Sequence, residues 1–322
     1  MTTDVEEARI ESAARSMPSV AGRYDDIVRT GDGARLWRRA VADVQSGHLD
    51  DRPLYWARLK LRRDLDEPEA VDIAERLSRN FNPAFPSGVR RVLVTGFDPF
   101  HLDDVIEQSN PAGLVALALD GTTIAGAHVR TAILPVRFEA FDRGVVEDLL
   151  RPLFQRGLDL AVTISMGRDG FDLERFPGLR RSVETPDNTS AMTGGSASNP
   201  LIPPDLAGTG APEFLEFSLP AATMSSVTDR WPIRDNRHVT TLERASVTVQ
   251  TLEELAQDTA VRGSSGGFLS NEITYRSLLL QKRLGAEFPL GHLHTPALTG
   301  YDAGLEGDIV AQVRRIVAAA LS

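Results

Sequence analysis

The sequence predicts an α/β protein: a three-layer α/β/α domain with a mainly parallel twisted sheet, preceded by a helical N-terminal extension. Two observations predict it. Short apolar runs, such as RRVLVTGF (90–97) and LDLAVTISM (158–166), alternate with helical patterns from residue 89 onward. Such alternation builds a parallel sheet with helices on both faces and a site at the carboxyl ends of its strands. The first 88 residues, by contrast, show helical periodicity only, and carry 14 of the 35 Lys and Arg residues and two of the three Trp.

The extension is read as residues 1–88 and the main domain as 89–322. Val5 to Met17, Ala34 to Val44, Pro53 to Arg63 and Glu69 to Arg79 read as amphipathic helices, and NFNPAFPSG (80–88) as a linker. Either the helices pack on the main domain, or they form a loosely attached lid with Trp37, Tyr55 and Trp56 over a pocket. In the main domain, 90–97 is a buried strand, Asn110 to Leu119 a helix, HVRTAILPV (128–136) a strand and Arg137 to Gln155 one long helix. A third strand follows at 158–166, and PDNTSAMTGGSASNPLIPPDLAGTG (186–210) is loop. Residues 237–250 read as a hairpin and Thr259 to Gly263 as a short strand. Leu269 to Leu284 is a helix, PLGHLHTP (289–296) a strand, and Gly307 to Leu321 a closing amphipathic helix.

Composition sets outer bounds. A net charge of −10 disfavours nucleic acid or an anionic membrane as partner. No stretch approaches the ~18 apolar residues of a membrane span. The charged start MTTDVEEARIESAARS lacks the apolar core of a signal peptide, so a cytoplasmic location is expected, with secretion of a longer precursor left open. The chain has no cysteine, which excludes disulfides, thiolate metal sites and cysteine nucleophiles.

Three residues could carry chemistry. Ser270 follows a Gly-Gly loop and opens a helix, where it is either an N-cap or a nucleophile facing free backbone N–H groups. His294 ends a strand and could move a proton to and from such a hydroxyl. His292 shares its strand face, but no third ligand stands at a recognisable spacing, so no metal is expected. Glu174 is either one half of a surface ion pair with Arg175 or the carboxylate that orients an imidazole.

Together these residues fall into a pattern. Gly96-Phe97-Asp98-Pro99-Phe100 is followed by Asn110-Pro111; Gly167-Arg168 stands six residues before Glu174-Arg175; Pro186-Asp187-Asn188 comes next. Ser265-Gly266-Gly267-Phe268-Leu269-Ser270-Asn271 precedes Tyr275, and Gly291-His292-Leu293-His294-Thr295-Pro296 closes the series. In this order they resemble the motifs of the pyroglutamyl (pyrrolidone-carboxylate) peptidases, over roughly 89–322. The resemblance implies a hydrolase that removes N-terminal pyroglutamate, or opens a related small cyclic amide, without metal or organic cofactor. It implies that Ser270, His294 and Glu174 stand in the positions of a Cys-His-Glu set, and that Phe97, Phe100, Asn110 and Leu269 bind the lactam. The partner is then a small peptide with an N-terminal pyroglutamate or similar lactam, with homo-oligomer formation open.

The sequence departs from the family at four points. Ser270 replaces the cysteine. Glu184 stands where the family has an oxyanion-side Arg, with Arg180 and Arg181 close by as substitutes. The stretch before Gly167 is shortened to Ser165-Met166, and His292 replaces a Phe. A serine hydroxyl cannot be stored as an alkoxide, so its base and oxyanion donors must be better placed than for a thiolate. The second reading is therefore a catalytically inactive homologue that binds a lactam-bearing peptide or a protein partner.

Overall fold

The computed structural model describes residues 3–322. The chain opens with six helices: α1 (Asp4–Ser16), α2 (Pro18–Ala21), α3 (Asp25–Val28), α4 (Gly33–Gln45), α5 (Arg52–Asp64) and α6 (Pro68–Ser78). A capping box starts α1: the Thr3 hydroxyl accepts from the Glu6 N–H while the Glu6 carboxylate accepts from the Thr3 N–H. Proline in the first turn of α5 and α6 costs nothing, because that N–H has no helical partner.

The main domain follows as β1 (Arg90–Phe97), α7 (Pro111–Leu119), β2 (Thr123–Ile124), β3 (Ala127–Leu134), α8 (Phe138–Asp142), α9 (Val145–Arg156), β4 (Leu160–Met166) and β5 (Phe171–Glu174). After a long loop come α10 (Ala221–Ser225), β6 (Ile233–Asn236), β7 (His238–Thr241), β8 (Ala245–Thr248) and β9 (Ala260–Arg262). The chain closes with α11 (Leu269–Leu284), β10 (Leu290–Thr295) and α12 (Ala303–Ala320).

Seven strands form the central sheet in the order β2-β3-β1-β4-β10-β5-β6. The inner strands β3, β1, β4 and β10 are parallel, β5 runs against β10, and β6 is parallel to β5. β4 and β10 and most of β1 are buried on both faces, which is why β1 and β4 read as largely apolar runs. Helix α7 packs on β1, β3 and β4 with α12 beside it; α11 packs on β4 and β10 with α9 beside it. Helix α4 lies against α7, so the extension adds a further layer on that side. Trp37, Tyr55 and Trp56 are all buried within it; the Trp37 indole N–H donates to Asp120 at 3.1 Å.

One expectation needs correction. The single helix over Arg137–Gln155 is broken into α8 and α9, because Gly144 adopts a left-handed φ of 79° and starts the second helix. The short strand expected at 259–263 is present as β9 and pairs with the 238–248 hairpin in a separate three-stranded sheet. Strands β5 and β6 lie in stretches where the sequence predicted none.

Candidate active site

Strand register assembles the polar centre. On β4, Thr163 and Ser165 point to one face; on β10, His292 and His294 point to the same face, registered opposite Thr163 and Ser165. On the other side, β5 places Asp172 opposite His294 and carries Glu174 two residues on. The Glu174 carboxylate is fully buried and takes the His294 Nδ1 at 2.6 Å. Its other oxygen accepts from the Asn236 side-chain amide of β6 at 2.8 Å. The exposed Arg168 guanidinium reaches within 4.0 Å of it. Gly167 is required here, since a Cβ would sit 2.6 Å from the His294 Cβ.

Ser270 is the second residue of α11, whose N-terminus lies over these strands. No side chain caps this helix, and the first-turn N–H groups of Leu269 and Ser270 have no intrahelical acceptor. Asn271 fixes the helix start by gripping the Gly178 backbone twice, accepting from its N–H at 2.9 Å and donating to its carbonyl at 2.7 Å. The hydroxyl of Ser165 donates to the Ser270 Oγ at 2.9 Å and lies 2.8 Å from the His292 Nε2. The His292 Nδ1 in turn lies 2.8 Å from the Thr163 hydroxyl. Burial, together with the nearby His294, pushes the His292 imidazole well below its usual range, so it is neutral. The two His rings meet edge to face at 4.9 Å.

Ser270, His294, Ser165, Arg168, Phe97 and Phe100 share a cavity of about 270 Å³. Asn110 and Leu269 border it too, as does the buried Ser265 hydroxyl, which has no protein partner. The Phe97 ring stacks on Phe141 with centroids 6.2 Å apart, and Phe100 on Phe268 at 5.1 Å. The Asn110 side chain is spent on structure: it caps α7 at the Ala112 N–H and donates to the Asp98 carbonyl.

The neighbouring motif residues are braces. Asp187 accepts from the Phe138 N–H at the start of α8 and from Thr189 and Ala191. Asn188 donates to the Pro99 carbonyl at 2.8 Å. Neither Arg180 nor Arg181 reaches the cavity: Arg180 is bound to Glu213, and Arg181 to Glu272 and Asp142. Glu184 is exposed and also lies outside the cavity lining, so its charge does not line it. None of Trp37, Tyr55 and Trp56 lines it either.

The extension reaches the site indirectly. Asp98, inside the Gly96–Phe100 motif, is clamped between the Arg58 and Arg79 guanidiniums, all three buried. Arg9 binds Asp103 through two nitrogens and donates to the Asn188 carbonyl. Asp51 accepts from the Asn110 N–H at 3.2 Å, and the Ser109 hydroxyl donates to Glu306 at 2.5 Å. A wider cleft, about 530 Å³, separates α6 from α8, and several of its charges are paired, as in Arg79–Glu75, Arg76–Asp148 and Arg143–Glu139. Among the described residues no cluster of three His, Asp or Glu side chains is placed to hold a metal ion.

This sheet order, with helices on both faces, is a pyrrolidone carboxyl peptidase fold. A mutant pyrrolidone carboxyl peptidase from the hyperthermophile Pyrococcus furiosus superposes with a TM-score of 0.50 at 22% identity, over 72% of this chain and 98% of that one. Homology to that family is distant: the pyrrolidone-carboxylate peptidase of Chromobacterium violaceum is 35% identical over 102 residues, 31% of this chain and 45% of that protein. Residues 91–246 and 233–299 match the family described as PA0049, C-terminal domain, and residues 5–78 match the PA0049 N-terminal domain. The chain belongs to the PA0049 family. The uncharacterized protein PA0049 of Pseudomonas aeruginosa is 27% identical, over 86% of this chain and 70% of that protein.

Proposed function

We propose that the protein is a peptidase-like hydrolase that cleaves N-terminal pyroglutamate, or opens a related small cyclic amide, with Ser270 in the place of the pyroglutamyl peptidases' cysteine. The observation that carries this reading is the Glu174–His294 pair at 2.6 Å, opening on the same small cavity as Ser270 at the N-terminus of α11. In this scheme His294 takes the Ser270 proton as Oγ attacks the amide carbon, then returns it to the leaving amine. Glu174 holds the imidazole and stabilises the imidazolium. The N–H groups of Leu269 and Ser270 receive the developing oxyanion, aided by the positive end of the α11 dipole. Phe97, Phe100 and Leu269 supply apolar surface for the lactam ring. The cavity of about 270 Å³ lies just below the ~300–1,000 Å³ typical of drug-sized ligands, in keeping with a small ring.

A second reading, an inactive homologue that binds a lactam-bearing peptide, is favoured by one observation: the Ser270 Oγ is bonded to Ser165 rather than to His294. One assay separates the two, hydrolysis of a fluorogenic pyroglutamyl amide. The first reading expects Ser270→Ala to lower turnover by about 10³-fold or more. Calorimetric binding of the amide with no turnover by the wild type, Ser270→Ala or Ser270→Cys would establish the second.

A further inference from the structure

The two departures around the nucleophile, Ser165 and His292, touch each other. Ser165 lies 2.9 Å from the Ser270 Oγ and 2.8 Å from the His292 Nε2, while Thr163 lies 2.8 Å from the His292 Nδ1. All three partners are buried, and His292 is neutral. The Ser165 hydroxyl is the donor to the Ser270 Oγ, so its single proton cannot also serve His292, and this sets the direction of the chain Thr163–His292–Ser165–Ser270. The neutral imidazole's one N–H is then on Nε2 and donates to the Ser165 Oγ, while Nδ1 accepts from the Thr163 hydroxyl, which also lies 3.3 Å from the Gly291 carbonyl. Ser270's own proton is left free for another acceptor.

We propose that Ser165 is a catalytic hydrogen-bond donor to the nucleophilic oxygen, and that His292 is the positioning residue that fixes its direction. This rests on the assignment of Ser270 as nucleophile. During attack the Ser270 proton passes to His294, the Oγ lone pair forms the bond to the carbonyl carbon, and no proton moves along the Ser165–His292 chain. Ser165 stabilises charge on Oγ as its proton leaves, and again when Oγ departs from the acyl-enzyme. An alkoxide needs such a donor far more than a thiolate, whose pKa already lies near ambient pH. The donor therefore addresses the specific handicap of serine in this fold.

The absence of cysteine from the chain gives a clean test. Ser270→Cys places a single thiol at the site, and its iodoacetamide alkylation rate at pH 7 reads how well the site stabilises an anion there. In that background Ser165→Ala is expected to slow alkylation about three- to tenfold. His292→Phe should slow it similarly, and the two together no more than either alone. Ser165→Thr and His292→Gln, which keep a donor in each place, should restore most of the rate. Thermal melts confirm that each variant is folded. An unchanged rate in Ser165→Ala overturns the proposal. So does an equal loss in Ser165→Thr, which would make packing rather than the hydroxyl responsible. The readout needs no substrate, so a protein that fails to hydrolyse pyroglutamyl amides yet passes this test loses only the substrate assignment.

Discussion

The two walls of the cavity are held by opposite means. The wall bearing Phe97 and Phe100 is anchored by charge: Asp98 sits between Arg58 and Arg79, and Arg9 ties Asn188 and Asp103 to the first helix. The wall bearing Ser270 meets the cavity through neutral groups, a run of hydroxyls and one uncharged imidazole, and its ion pairs, Glu272 with Arg181 and Arg276, lie further along α11. Fixed charges tolerate little loss, because removing one partner strands the other in a low-dielectric interior. A neutral hydroxyl chain costs little to interrupt and leaves the local field undisturbed, which suits a place where charge must develop and vanish during reaction.

The contrast can be broken at several points. The largest effect is expected from Asp98→Ala, which strands the buried Arg58 guanidinium and leaves Arg79 with Glu75 alone. Chemical denaturation should show a loss of about 3–5 kcal/mol, and a Leu or Met at Arg58 combined with that change should recover part of it. A loss under 1 kcal/mol would mean the charged wall is no more dependent on its ions than the neutral one.

Next comes Glu306, which extends the charged wall behind Asn110. Burial raises its carboxyl from 4.5 to about 7, and burial together with the neighbouring Glu306 raises Asp51 as well. The folded state thus binds protons that the unfolded chain has released. Stability is therefore fully present below about pH 4.5 and declines as pH rises toward 7. Glu306→Gln should flatten that decline by about 3 kcal/mol across the interval, measured by urea unfolding at pH 5 and pH 8. An unaltered slope would show that the acid pair is not a source of pH dependence.

The smallest effect belongs to the neutral wall. Ser165→Ala should change folding stability by about 1 kcal/mol or less, however strongly it alters reactivity at position 270. A loss matching that of Asp98→Ala would erase the distinction between the walls.

Much of this was legible in the sequence. The boundaries of α11 were met residue for residue, and β1 likewise; Gly285, with a left-handed φ of 61°, marks the end of α11. The stretches around Glu174, Ser270 and His294, far apart in the chain, do converge on one cavity edge. What escaped had physical reasons. Strands β5 and β6, FDLE and IRDN, are four residues long and half charged, so no periodicity marks them. Asn236, which steadies Glu174, rides on one of them. The Ser165–His292 link depends on the register of two parallel strands, which local sequence does not encode. The break between α8 and α9 did carry a signal, Gly144, outvoted by the helical pattern around it. Arg58 and Arg79 lie in predicted amphipathic helices with no local sign of burial, and their partner lies inside a distant motif that reads as a binding loop.

The arginine clamp also fixes an order of events at the ribosome. Arg58 and Arg79 precede Asp98 in the chain, so when synthesis proceeds at ~5–20 residues per second the clamp is already outside when its partner emerges a few seconds later. Ser270 and His294 follow only after some 170 further residues, a delay of roughly 10–40 s at that pace. The clamp on Asp98 can therefore be set while the reactive half is still unmade, whereas Phe100 gains its stacking partner Phe268 only as Ser270 arrives.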